Sequence, residues 1–193
     1  YRMRSPGASG RQDVLSWHEE TSDAQRPKNR FSGAISIEHY PNERPSAQSL
    51  FTDAARRAAW LGLSVERMSE AFAFANKFGA VEAAETILSQ GGEDRACLVF
   101  RHVADAAPVQ IHGWFCGASQ RPLDRATLAC VVDRIDLLGA GGDRQLKSYF
   151  AAIERQRRAC GAYPAPQSAP VVDPGDRLPE LRASFSELPR RAP

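Results

Sequence analysis

Four cysteines and four histidines are the residues whose types could support chemistry beyond packing. Cys97, Cys116, Cys130 and Cys160 form no CxxC pair, so neither a zinc ribbon nor a thioredoxin-type centre has spacing support. Their even number fits two disulfides and an oxidising compartment. His18, His39, His102 and His112 show no HxH or HExxH spacing, and no metal or cofactor is expected. A nucleophilic Cys116 or Cys160 with His112 as base would lack a third group to orient the imidazole. The carboxylate pairs Glu82/Glu85 and Asp133/Asp136 are spaced as helix neighbours. That spacing reads as a solvated face, not as two acids across a cleft. Gly139 to Asp143 resembles an anion-binding turn but follows a helical pattern and lacks the Lys-Ser/Thr pair, so it reads as a connector. No GxSxG or GxGxxG occurs. No motif names a reaction, and the expectation is a protein that is not an enzyme.

The elements that must position these residues are clearest around the first two cysteines. Residues 96–103 and 109–116 are two β-rich runs around a short turn, a β-hairpin. A turn centred near residue 106 sets Cys97 opposite Cys116, Val99 opposite Trp114 and Arg101 opposite His112. Leu98, Phe100, Val109, Ile111 and Phe115 then share the other, apolar face. Directly opposed residues lie ~4.5–5.5 Å apart at Cβ, close enough for a disulfide after local adjustment. Cys130 and Cys160 pair by elimination. On an antiparallel helix pair they would sit ~12 Å out of register, so either a helix end bends back, another connectivity holds, or the thiols are free. His102 and His112 fall on opposite faces.

Elsewhere, residues 31–40 alternate, with Ile35, Ile37 and His39 on one side and Ser36, Glu38 and Tyr40 on the other, which predicts a strand. Residues 46–61 carry Leu50, Ala54, Ala58 and Leu61 at helical spacing. A second helix is predicted over 65–78 from the stripe Met68, Ala71, Phe72, Ala75 and Phe78. Residues 80–90 read as a strand before the Gly91-Gly92 turn. Asp124 opens a third helix to about Leu138, and Asp143 caps a fourth over 144–159. The predicted architecture is α+β: a small antiparallel sheet, with its central hairpin at about 96–116, packed with about four helices. Extended N- and C-terminal arms flank it. The domain organisation is an arm over 1–30, one domain over 31–160, and a Pro-rich tail over 161–193 that holds seven of the thirteen prolines.

Composition narrows the function classes. The 193 residues suffice for one ordinary domain, and the net charge of +2 lies in the first thirty residues. So small an excess does not suit a nucleic-acid binder. No apolar run is long enough to span a bilayer, so membrane association would come through partners or an N-terminal anchor outside the sequence. Tyr1 is compatible with a processed N-terminus. Function is expected to reside in interaction: a non-catalytic accessory or structural subunit of a larger bacterial cell-envelope or membrane-associated assembly, periplasmic or otherwise exported, with protein subunits as partners. The expected contacts are Trp17, Trp114 and Arg101, the last two on the hairpin's non-core face, and Leu178, Leu181, Phe185 and Leu188, sparse anchors between prolines suited to a groove. That hairpin face is covered either by helices or by a partner. The alternatives are a small secreted enzyme or inhibitor with an unrecognised pocket, and a mitochondrial or other organellar subunit. If both disulfides exist, intact mass after denaturing reduction rises by four hydrogens; no change on thiol blocking would remove the case for export.

Overall fold

The computed structural model describes residues 2–4, 10–19, 30–41, 48–105, 107–117, 124–140 and 142–160. In chain order the elements are β1 (Arg2–Arg4), β2 (Arg11–Glu19), β3 (Arg30–His39), α1 (Leu50–Trp60), β4 (Ser64–Met68), β5 (Phe72–Asn76), β6 (Gly79–Gln90), β7 (Glu93–Val103), β8 (Val109–Cys116), α2 (Arg125–Asp133) and α3 (Arg144–Glu154). The strands form one antiparallel sheet in the order β1-β2-β3-β8-β7-β6-β4, with β5 also on β6.

This overturns the expected small sheet with four helices: among the described residues the sheet has eight strands and there are three helices. Two segments account for the difference. The segment expected as a helix over 65–78 forms β4 and β5 instead. Its stripe satisfies a helical period, but Phe72, Phe74 and Asn76 also alternate. The twelve residues of β6 offer backbone partners for both short strands. A non-local ladder thus overrides a local pattern that fits both periods. The second segment is β2, expected within the extended N-terminal arm. It lies inside the sheet between β1 and β3 and pairs along its length with β3, with a bulge at Trp17/His18. Its apolar content is too sparse to announce a strand; the exposed edge of β3 selects it.

The hairpin has the expected register: Cys97 faces Cys116, Val99 faces Trp114 and Arg101 faces His112. Both faces of this sheet are covered, which explains why β8 is buried at every position. One layer holds Ile35, Ile37, Val81, Leu98, Phe100, Val109, Ile111 and Phe115 against Leu128 and Val132 of α2 and Leu146, Phe150 and Ile153 of α3. The other packs Ala34, Ala84, Leu88, Cys97, Val99, Trp114 and Cys116 against Leu50, Ala54 and Ala58 of α1. Alanine on α1 brings that helix close to the sheet. α2 and α3 start where Asp124 and Asp143 predict, and α1 starts at Leu50, four residues later than expected, behind Ser49; each of the three side chains accepts a backbone N–H of the first turn. α2 and α3 stop earlier than expected, at Asp133 and Glu154.

Gly113 is a point of close approach in the central strands. It pairs with Ile35 on one side and Phe100 on the other. A Cβ there would lie 2.2 Å from the Ala34 carbonyl oxygen and 3.0 Å from the Phe100 ring. Neither neighbour has room to move, because Ala34 is in a ladder and Phe100 is fully buried. Gly113→Ala is therefore expected to lower unfolding free energy by about 1–3 kcal/mol, read as a fall in urea midpoint at constant slope.

Candidate functional site

Two buried ionic clusters lie on opposite faces of the sheet. The first sits under α1. Glu38 of β3 and His112 of β8 point from the sheet, and Asp53 and Arg57 point from the helix one turn apart. Arg57 donates to both Glu38 oxygens at 2.6 and 3.1 Å and to Asp53 at 2.9 Å. Gln12 donates to Glu38 at 2.8 Å, and the His112 ring Nε2 lies 3.2 Å from the same carboxylate. Burial alone would raise the Glu38 pKa. Hydrogen bonds from His112 and Arg57 outweigh it and hold the carboxyl down at about 2. Burial pushes the His112 imidazole below its ordinary value despite Glu38 beside it. Glu38 is therefore an anion throughout the physiological range, and all four side chains are buried. Their arrangement ties α1 to the two central strands.

The second cluster forms a corner at the ends of α2 and α3. The turn between β5 and β6 inserts Lys77, whose side chain is fully buried. Its Nζ lies 2.8 Å from Glu154 and 3.3 Å from Asp136, and its backbone N–H donates to Asp133 at 2.7 Å. The other Asp133 oxygen accepts the backbone N–H of Arg158 at 2.9 Å. Arg157 pairs with both Asp136 and Glu154. Hydrogen bonding to Lys77, then to Arg157, holds the Glu154 carboxyl below its ordinary range. The expected solvated face at Asp133/Asp136 is thus half wrong: Asp133 is 1% exposed and Asp136 is half-exposed. An isolated helix spacing does not reveal a turn arriving from β5 and β6.

Covalent bonds complete both faces. Cys97 and Cys116 are bonded under α1 with Cα atoms 3.9 Å apart. Cys130 and Cys160 are bonded with Cα atoms 4.9 Å apart. The helix offset vanishes because α3 ends at Glu154, and residues 155–160 carry Cys160 back to α2. An open cleft of about 550 Å³ lies here, lined by Arg134, Asp136, Arg157, Arg158, Ala159 and Cys160.

The expected contact residues are dispersed. Trp114 is 3% exposed beneath α1, so the chain's own helix covers the hairpin face. Arg101 is mostly buried and donates to Glu82 and to the Gln48 carbonyl. Trp17 is half-buried, tilted against Phe115 with ring centroids 4.7 Å apart. Leu178, Leu181, Phe185 and Leu188 lie outside the described residues. The exposed tryptophan is Trp60, at 70%, beside Leu61 at the end of α1. Its only sequence signal is its place after Ala58 and Ala59, off the buried stripe. His102 and His112 do face opposite layers. Burial lowers the His102 pKa, and its ring nitrogens lie 2.8 Å from the Ala80 carbonyl and 3.2 Å from the Tyr149 hydroxyl. Among the described residues no three His, Cys, Asp or Glu side chains are grouped to hold a metal ion, and no helix is long and apolar enough to cross a membrane.

No protein-family model matches the chain, and neither curated proteins nor solved structures give a match.

The Glu38 cluster has a signed pH consequence. Its folded pKa lies below its unfolded value, so its contribution is fully present above about pH 4.5 and is lost as pH falls through about 2. The difference corresponds to about 3 kcal/mol. Urea midpoints measured from pH 5 to pH 2 should fall steeply for the native chain. They should fall less for Glu38→Gln, which starts from a lower midpoint at pH 7.

Proposed function

We propose that this chain is a non-catalytic subunit of a larger exported assembly, periplasmic in a bacterial envelope, held to protein partners by residues 161–193 and by the Trp60 end of α1. The observation that carries this reading is the position of the Cys130–Cys160 bond. It closes at the last described residue, where the Pro-rich segment begins. Load applied to that segment by a partner would arrive at Cys160. The disulfide passes it to α2 and the core instead of peeling away residues 155–160. The Arg158–Asp133 and Arg157–Glu154 contacts reinforce the same joint. Two bonded cysteine pairs fit an oxidising compartment.

The segment has the composition of a docking peptide. Leu178, Leu181, Phe185 and Leu188 are spaced three, four and three apart, the spacing of anchors that enter an apolar groove. Prolines limit the freedom of the unbound chain and so reduce the entropy lost on binding. Trp60 adds a large amphipathic ring outside the core, the residue type enriched at the centre of interfaces.

Mild native purification from the source followed by native electrophoresis and mass spectrometry tests the reading. The expected band migrates far above 21 kDa with fixed companions. Deleting residues 161–193 should return the chain to monomer size while its melting transition stays cooperative. Trp60→Ala should weaken association by about tenfold or more with little change in melting, whereas Trp114→Ala should destabilise the fold. A native chain that migrates as a free monomer would overturn the proposal.

A further inference from the structure

The two disulfides differ in surroundings in a way that separates their chemistry. Cys97 and Cys116 are 0% and 8% exposed, enclosed between the central strands and α1. Cys130 and Cys160 are each partly exposed, and Cys160 forms part of the wall of the cleft at the α2–α3 corner. Three arginines share that wall with one acid, Asp136. Arg157 is neutralised by Asp136 and Glu154. Arg134 and Arg158 have no ion-pair partner among the described residues, although the Arg158 backbone N–H is held by Asp133. The cleft therefore carries a positive excess next to a sulfur–sulfur bond.

We propose that Cys130–Cys160 is an exchange-active disulfide, entered through this cleft by a small thiol that carries carboxylates. Arg134 and Arg158 would receive the carboxylates. The thiolate attacks the Cys160 sulfur, its electron pair forming the new S–S bond, and the Cys130–Cys160 bond breaks with its pair leaving on Cys130 as thiolate. A second thiol molecule attacks the mixed disulfide at the sulfur of the first. The products are the oxidised small thiol and the two reduced cysteines, each thiolate taking up a proton released by a thiol. Positive charge in the cleft assists by concentrating the anionic nucleophile beside the Cys160 sulfur. The consequence is local. Opening the bond frees Cys160 from α2, leaving Arg157 and Arg158 to hold residues 155–160 through non-covalent contacts, while Cys97–Cys116 keeps the sheet closed.

The test uses the oxidised full chain in native buffer with three probes: glutathione as anionic thiol, 2-mercaptoethanol as neutral thiol and cysteamine as cationic thiol. Rapid alkylation and peptide mass analysis report which cysteines open. Each rate is divided by that thiol's rate against a small neutral disulfide, which removes intrinsic nucleophilicity. Cys130–Cys160 should open at least about tenfold faster than Cys97–Cys116 with every probe, as access controls exchange. The normalised glutathione rate should exceed that of cysteamine by about tenfold at low salt and converge with it in high salt. Arg134→Gln with Arg158→Gln should erase the preference while leaving the 2-mercaptoethanol rate within about twofold. Equal normalised rates for the three thiols, or simultaneous opening of both bonds, would overturn the proposal. Should the double variant fail to fold, the salt and thiol-charge series on the unsubstituted chain decides the matter by itself.

Discussion

The pairing of β7 with β8 is the constraint on which the remaining architecture depends. Side chains alternate along a strand, so a slip of one residue would exchange the two faces of the sheet. Here both faces are core. Phe100 and Ile111 must meet α2 and α3, and Val99 and Trp114 must meet α1. Cys97–Cys116 is a cross-strand bond within this pair and holds the same register covalently. β3 and β6 then add to the outer sides of the hairpin and inherit its alternation.

Enclosing a sheet on both sides brings polar groups into places where water cannot serve them. The chain meets this with two ionic clusters, one per face. Under α1, Glu38 is met by Arg57, Gln12 and His112. At the opposite corner, Asp133 accepts two backbone N–H groups and Lys77 meets two carboxylates. Desolvation opposes attraction in such clusters, and at Glu38 the attraction outweighs it. The clusters also fix geometry. Arg57 reaches both Glu38 oxygens in only one placement of α1, and Lys77 fits only when the β5–β6 turn lies against the ends of both helices.

The same corner joins structure to the proposed function. It gathers α2, α3, the β5–β6 turn and a disulfide at the point from which the Pro-rich segment departs. The two proposed roles of this joint, bearing a partner's pull and opening to a thiol, are compatible designs. The first uses the bond's strength, and the second uses its position at the wall of a basic cleft.

The sequence by itself determined what depends on near neighbours. The hairpin register follows from a short turn and strict alternation. The starts of α2 and α3 follow from Asp124 and Asp143, whose side chains accept N–H groups within one turn. Tertiary structure decided what depends on distant partners. The stretch Ser64–Asn76 fits two periods, and only the presence of β6 makes it two strands. Gln12 and Val14 belong to a strand because β3 leaves an edge to fill. Glu38, Lys77 and Asp133 look like surface charges in a linear reading, since their partners lie 19 to 77 positions away. Trp114 is buried and Trp60 exposed for the same reason: burial belongs to the layer that covers a residue, and α1 covers the Trp114 face while its own Trp60 lies off the buried stripe.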